Sequence, residues 1–397
     1  MMHYERGLAE INLNCILDNM EAMHKAIAPE TKIVGVIKTD AYGHGANVIA
    51  HELDKLDYVW GYATALPEEA EVLINDGIKK PVLLLGYAFP YFYPLIVEKE
   101  IRSAVFTYET ACALSDEALK QGKKAIIHIK VDTGMARIGL FPNEAGFELV
   151  KKIHELPGIQ IEGIFSHFAR ADEYDRTMTV NQLKMFETFT ERIEEAGIHI
   201  PLKHCSNSAG IIEFKEANFD MVRAGISIYG LWPSDEVNHD LIPLKPAMNL
   251  KSHVIYVKEV PKGTTVSYGA TYVTEDTTRI ATVPLGYGDG YARKLSNIGE
   301  VLIRGKRFPI IGKICMDQFM VDITSCPEVI EGDVVTLIGK DGNEIITMEE
   351  LGALSGRFNY EFACDINKRV PRIYIKDNKP YAVMENFGKM HITYFNK

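Results

Sequence analysis

Across residues 1–230, short apolar runs rich in β-branched residues alternate with segments of helical spacing. The runs are "IVGVIK" (33–38), "YVWGYA" (58–63), "PVLLLG" (81–86), "RSAVF" (102–106), "AIIHIKVD" (125–132), "IQIEGIFSHF" (159–168), "LKHCSN" (202–207) and "MVRAGISIYG" (221–230). Between them, "PEEAEVLINDG", "TACALSDEALKQG" and "QLKMFETFTERIEEAG" carry amphipathic spacing and close on glycine, as helix C-termini often do. Continuous apolar strands alternating with amphipathic helices predict a parallel sheet covered on its outer side. Eight such units in this length favour a (β/α)8 barrel. The alternative, an open doubly wound sheet, lacks its usual GxGxxG after the first strand.

The texture changes after "LWPSD". "NLKSHVIYVKEV", "TRIATVPLG", "GEVLIRGKRFPIIG", "FMVDIT" and "DVVTLIG" are short alternating strands between Gly, Pro and Asp turns, with one helical patch at "TMEELGALSG". The pattern predicts an α/β barrel over 1–243, an all-β domain over 244–385 and a tail, 386–397, whose periodicity is too weak to read. The uncharged stretch "PVLLLGYAFPYFYPLIV" (81–97) has the length of a membrane span, but Pro81, Pro90 and Pro94 break a lone helix. It is expected to be a buried strand, a turn and a helix start, so no membrane partner is expected.

Composition narrows the classes further. The 397 residues carry a net charge of −11 with no basic tract, and nucleic-acid binding needs a concentrated basic surface, so that class is set aside. Cys15, Cys112, Cys205, Cys315, Cys326 and Cys364 are scattered without a CxxC pair and read as free thiols in a reducing compartment. The start, "MMHYERGLAE", is charged and has no apolar core, so no secretory signal is expected and the protein is placed in the cytoplasm.

In a (β/α)8 barrel, chemistry gathers where strands end at the C-terminal face. Here those ends carry Lys38, then Lys130 and Asp132, then His167, then His204, Asn207 and Ser208, and finally Arg223 before Gly225. A lysine at a strand end is ordinarily a solvated cap, and any one of these residues alone reads as a rim polar group. Their convergence in an acidic protein, beside the small residues of "NSAG" (207–210) and "RAGIS" (223–227), suits an anionic group such as phosphate. Lysine, phosphate nest and cationic partners together suggest pyridoxal phosphate held as a Schiff base.

"GVIKTDAYGHG", "KVDTGMARIGL", "FSHFARAD", "HCSNSAG", "VRAGISIYG", "SYGATY", "PLGYGDGY", "GKICMDQFMVDIT" and "NYE…RVPR" occur in this order from residue 35 to 372. Together they resemble the alanine racemase family, over nearly the whole chain. The resemblance implies pyridoxal phosphate on Lys38, whose freed amine is the base on one face of the cofactor. It implies a phosphate cradle of Tyr42, Tyr360, Ser208, Gly225 and Ile226 with Asn207 beside it, and His167 packed near the cofactor. Arg223 is implied to face the pyridine nitrogen, with His204 behind it.

The second base on the opposite face is implied to be Tyr268, reaching the site from the partner of a homodimer with shared active sites. An unassisted tyrosine loses its proton only near pH ~10, so it needs cationic neighbours. By itself Tyr268 is one of 19 tyrosines and reads as a packing residue. Arg137 is implied to bind the substrate carboxylate, and Lys130 to be carbamylated, an anion able to hold Arg137 where two cations would repel. Tyr287 and Met316, with Cys315 and Asp317, are implied to line the substrate entrance from the second subunit. No metal is implied.

Thr39, Asp40 and Ala136 stand at positions where the family varies, and none has an implied role. The activity implied is interconversion of L- and D-alanine, supplying D-alanine for peptidoglycan. Racemisation of another small amino acid such as serine is the near alternative, since one hydroxyl separates the two substrates. A decarboxylase of the same architecture is disfavoured by "AYGHG" and "GYGDGY", and a non-catalytic pyridoxal-phosphate barrel by the β domain. A hydrolase with metals bridged by a carbamylated Lys130 needs a His-x-His pair on an early strand, which the chain lacks.

Overall fold

The computed structural model describes residues 6–385 and 391–395. Contacts group the chain into two units: residues 15–41 and 46–246 form one, and the chain up to residue 14, residues 42–45 and everything from 247 on form the other. The opening strand, β1 (Gly7–Asn12), therefore does not belong with the barrel, although the sequence pattern assigned 1–243 to it. Its residues alternate between buried and half-buried, a one-sided strand that fits an antiparallel sheet rather than a barrel wall.

The barrel unit contains the eight expected strands, seven of them shorter than their apolar runs and β3 as long as its run but shifted by one residue. They are β2 (Lys32–Val36), β3 (Val59–Thr64), β4 (Val82–Leu84), β5 (Arg102–Val105), β6 (Ala125–Lys130), β7 (Ile159–Phe165), β8 (Leu202–His204) and β9 (Met221–Ala224). All their ladders are parallel, running from β8 back through β2 to β9. The cylinder is nearly closed: β8 and β9 share no ladder, but the Arg223 N–H donates to Ser206 O at 2.9 Å across the gap. Burial on both faces explains why these strands read as continuous apolar runs. The stretch at 81–97 is β4, a 3-10 turn at Pro90–Phe92 and a helix at Tyr93–Glu98. Among the described residues no helix is long and apolar enough to cross a membrane.

The second unit carries β10 (Met248–His253), β11 (Tyr256–Val260), β12 (Thr265–Val266), β13 (Tyr272–Val273), β14 (Thr278–Val283), β15 (Glu300–Ile303), β16 (Lys306–Ile311), β17 (Phe319–Asp322), β18 (Val334–Asp341), β19 (Glu344–Ile346), β20 (Arg372–Lys376), β21 (Lys379–Glu385) and β22 (His391–Tyr394). The large sheet runs β11-β14-β17-β16-β15-β18-β10-β1-β20-β21-β22, with β19 paired to β18. The expected helix forms at Met348–Ser355, where the Thr347 hydroxyl accepts the Glu350 N–H at 3.0 Å. β20 and β21 were not expected from the sequence. They turn through Asp377 and Asn378, both at positive φ, the signature of a tight hairpin. Within the tail, 391–394 is strand, and the remainder lies outside the described residues.

Candidate active site

Lys38 follows β2 by two residues and opens an unusual turn. Thr39, Asp40, Ala41 and Tyr42 all lie at φ of 52–54°, a left-handed helical turn built without glycine. Such a conformation costs about 1–2 kcal/mol per residue, so it persists only where its surroundings over-determine it. The Thr39 N–H donates to Glu69 Oε1 at 2.6 Å, the Ala41 N–H to Ile37 O at 2.9 Å, and Asp40 Oδ1 accepts the Ala46 N–H at 2.8 Å. These bonds pin the residue after Lys38 on one side and the start of helix Ala46–Leu53 on the other. Nothing in "KTDAY" announces the turn.

Tyr42 to Gly45 continue the segment within the β unit. A Cβ on Gly43 (φ 79°) would stand 2.4 Å from Ala363 O, and one on Gly45 (φ 93°) 1.7 Å from the Tyr374 hydroxyl, so neither position admits a side chain. Arg372 Nε donates to Gly43 O at 3.0 Å and Tyr374 OH to His44 O at 3.0 Å, fixing the segment from the other side. Tyr42 meets Tyr360 edge to face at 6.0 Å, and Tyr360 stacks on Phe358 at 4.5 Å. Burial pushes the Tyr42 phenol well above its usual range, so it stays a hydroxyl donor.

The barrel unit gathers cations at its strand ends. Arg223 is 2% exposed and nearly spent: Nη1 donates to His204 Nδ1 at 2.8 Å, and Nη2 to Ser166 O and Cys205 O, both at 2.8 Å, and to His167 Nδ1 at 3.2 Å. Its Nε–H finds no acceptor among the described residues. Phe165 is the floor beneath this group, with Lys130 Nζ 5.5 Å and the Arg223 guanidinium 5.4 Å from its ring, and His204 stacked on it at 4.8 Å. Lys130 is buried and donates to Val131 O at 2.6 Å. Burial, then the charge of Arg223 and that of Arg137, lower its amine to about 8 against the opposing pull of Asp132. Burial, followed by the charges of Arg223, Arg137, Lys130 and Lys38, holds His167 well below the normal histidine range. Lys38 and Arg137 thus add to Arg223 and Lys130 in opposing a proton on this imidazole.

Arg137 lies on a loop closed by mutual bonds, Asp132 N–H to Leu140 O at 2.8 Å and Leu140 N–H to Lys130 O at 2.9 Å. Asp132 Oδ1 stiffens it by accepting the N–H groups of Gly134 and Ala136. On the next face, Ser208 Oγ accepts the N–H groups of Gly225 at 3.0 Å and Ser227 at 3.3 Å, and Ile226 opens the 3-10 turn Ile226–Tyr229. Asn207 uses its side-chain oxygen to cap the helix Ser208–Glu213 through the Gly210 N–H at 2.9 Å. It holds the loop in shape and keeps its amide N–H groups for a ligand.

A second group assembles in the β unit. Tyr268 starts a 3-10 turn between β12 and β13 and is 69% exposed. Ser267 anchors that turn, its hydroxyl donating to Lys313 O at 2.6 Å beside the Cys315 thiol. Tyr268, Cys315, Met316 and Asp317 consequently share one pocket. Tyr287 joins the same segment through its N–H to Cys315 O at 3.1 Å. Three large apolar side chains, Tyr268, Tyr287 and Met316, stand exposed here.

The sequence reading missed the left-handed turn, the Phe165 floor and the pair His128–Glu162 behind His204, where His128 Nδ1 lies 3.0 Å from His204 Nε2. His128 had a signal: it sits two residues before Lys130 on the same strand, hence on the same face. The residues present suit pyridoxal phosphate. A buried cationic centre with Asp132 as its near carboxylate suits an anionic ligand, and the Nε–H of Arg223 is open to one more acceptor.

The family description "Alanine racemase, N-terminal domain" matches residues 11–233, and "Alanine racemase, C-terminal domain" matches 247–374. An alanine racemase from Methanococcus maripaludis is 45% identical over 372 residues, covering 92% of this chain and 98% of that protein. The solved structure of an alanine racemase from Clostridium difficile 630 superposes with a TM-score of 0.94 at 39% identity, over 97% of this chain and 100% of the other. A complex of the same enzyme with cycloserine gives 0.92 at 38% identity, with the same coverage. Strand order, site chemistry and these likenesses agree: the chain belongs to the alanine racemase family, whose members are pyridoxal-phosphate-dependent isomerases.

Proposed function

We propose that this enzyme interconverts L- and D-alanine in the cytoplasm, as a homodimer with shared active sites, and that its own cofactor is pyridoxal phosphate. The observation that carries the reading is the cationic centre at the barrel strand ends, in a chain 45% identical to an alanine racemase. Lys38 would hold the cofactor covalently. Tyr42, Tyr360, Ser208 and the backbone of Gly225 and Ile226 would take its phosphate, with Asn207 keeping the loop in place and His167 packed beside the ring. When bound, the cofactor makes the Cα proton of an amino acid acidic.

The side chains then divide the work. Lys38, as a free amine, takes or returns the Cα proton on one face, and Tyr268 of the partner subunit does so on the other. Arg137 pairs with the substrate carboxylate and holds Cα between the two bases. Arg223 would face the ring nitrogen without protonating it, because a guanidinium is essentially never an acid near neutral pH. By withholding a proton there, Arg223 would favour proton return over side reactions. Tyr287 and Met316, with Cys315 and Asp317, would frame the entrance for a small substrate. Lys130 is read as a carbamate that turns a repelling cation into an anchor for Arg137.

The test is Cα exchange in deuterium oxide across a panel of amino acids, with optical rotation and carbon dioxide followed together. Alanine should exchange and racemise fastest, with no carbon dioxide released. Preference for serine would change the substrate assignment, and gas release would replace racemase by decarboxylase.

A further inference from the structure

Behind Arg223 a line of hydrogen bonds runs through the barrel wall. His204 Nδ1 accepts a hydrogen bond from Arg223 Nη1 at 2.8 Å, and His204 Nε2 lies 3.0 Å from His128 Nδ1. His128 Nε2 in turn lies 3.1 Å from Glu162 Oε2, and Glu162 is gripped by Arg102 through Nε at 3.1 Å and Nη2 at 3.2 Å. Both histidines are fully buried, while Glu162 and Arg102 retain about a sixth of their side-chain exposure (16% and 17%). Gly163 makes room for the line: a Cβ there would lie 2.4 Å from His128 Nδ1.

The two ends dictate one direction. A guanidinium only donates, so His204 Nδ1 must be bare and its proton must sit on Nε2. An ionised carboxylate only accepts, so His128 must carry its proton on Nε2 and present a bare Nδ1. The His204 Nε2–H then points at the bare Nδ1 of His128, and no bond in the line is frustrated. Burial, with the charge of Arg223 next for His204, keeps both rings neutral. The bonds from His128 and Arg102 outweigh burial and hold Glu162 down to about 2.

We propose that His128 and Glu162 are positioning residues for Arg223: they lock His204 in the tautomer that accepts from Nη1, and so hold the guanidinium with its Nε–H free for the cofactor ring nitrogen. The cofactor half of this statement rests on the function proposed above. The tautomer half does not.

The experiment labels histidine with 15N in the holoenzyme and reads the tautomers by NMR, alongside alanine kinetics. In the wild type, His128 and His204 should each carry one proton, on Nε2. Glu162→Gln can present an N–H to His128 and so removes the fixed direction. It should give mixed tautomers at His204 and lower kcat about tenfold, a usual scale for losing a partner that orients a histidine, with KM within about twofold. Glu162→Asp should restore the single tautomer. A wild-type His204 protonated on Nδ1 overturns the proposal even if the Gln variant fails to fold. So does a Gln variant with unchanged tautomers, whatever its stability, or one with mixed tautomers and unchanged kcat. A protein that takes up no pyridoxal phosphate would end the cofactor reading, and the tautomer spectra would still decide the relay.

Discussion

Two side chains carry the sharpest expectations at the residue scale. If Tyr268 is the base for one face only, Tyr268→Phe should slow deuterium exchange at Cα of one alanine enantiomer by about 10²–10⁴, the range for a lost general base, and spare the other. Racemisation rates cannot show this, since the two directions share an equilibrium constant of unity by symmetry. Equal loss of exchange from both enantiomers would remove Tyr268 from that role. Lys130 gives a pH test. Its amine, lowered to about 8, is neutral above that pH and able to add carbon dioxide with release of a proton. Carbamate occupancy should therefore rise with pH through about 8 and fall in acid, as a 13C-bicarbonate-derived carbamate resonance absent from Lys130→Arg. No resonance in the wild type at higher pH would leave Lys130 a plain buried amine.

At the scale of the element, the segment from Lys38 to Gly45 decides most. Four non-glycine residues in a left-handed turn store conformational energy that the bonds to Glu69, Ile37 and Asp40 must hold in place. Gly43→Ala adds a Cβ 2.4 Å from Ala363 O at φ 79°, whereas Gly263→Ala adds one at φ 81° with nothing within 4 Å. The first should lower stability by about 2–3 kcal/mol and the second by about 1 kcal/mol, read as urea midpoints at constant slope. Equal costs would mean that the contact with Ala363 relaxes freely. The eight barrel strands were legible because burial on both faces leaves continuous apolar runs. β1 was misassigned because a six-residue strand declares its pattern but not its partners. The Asp377–Asn378 turn was readable in principle, and was overlooked amid a tail of weak alternation.

The prediction for the whole molecule concerns whether two chains share a site. Tyr268 and Met316 are exposed at one pocket, and Tyr287, also exposed, is tied to the same segment through its N–H to Cys315 O, a cluster that a partner chain would cover. If Tyr268 serves the partner's Lys38, two inactive proteins should complement each other. Lys38→Ala and Tyr268→Phe chains co-assembled in equal amounts form hybrids in half of the dimers, each with one intact site. Activity should recover to about a quarter of the wild-type value, from symmetry alone. Recovery that never rises above the parents would place both bases on one chain.

Periodicity by itself determined the class of each half of this protein, because a two-face-buried parallel strand and a one-face-buried antiparallel strand leave different patterns of apolar residues. The order of short motifs determined the family, and with it a list of residues. Only the tertiary structure decided what those residues do to one another. It placed β1 in the sheet of the second unit, wound Thr39 to Tyr42 left-handed, laid Phe165 under two cations, and lined up Arg223, His204, His128 and Glu162 from four different strands. Local sequence encodes propensity over a few residues. The direction of a hydrogen bond or the depression of a buried lysine depends on neighbours that only folding brings within 3 Å.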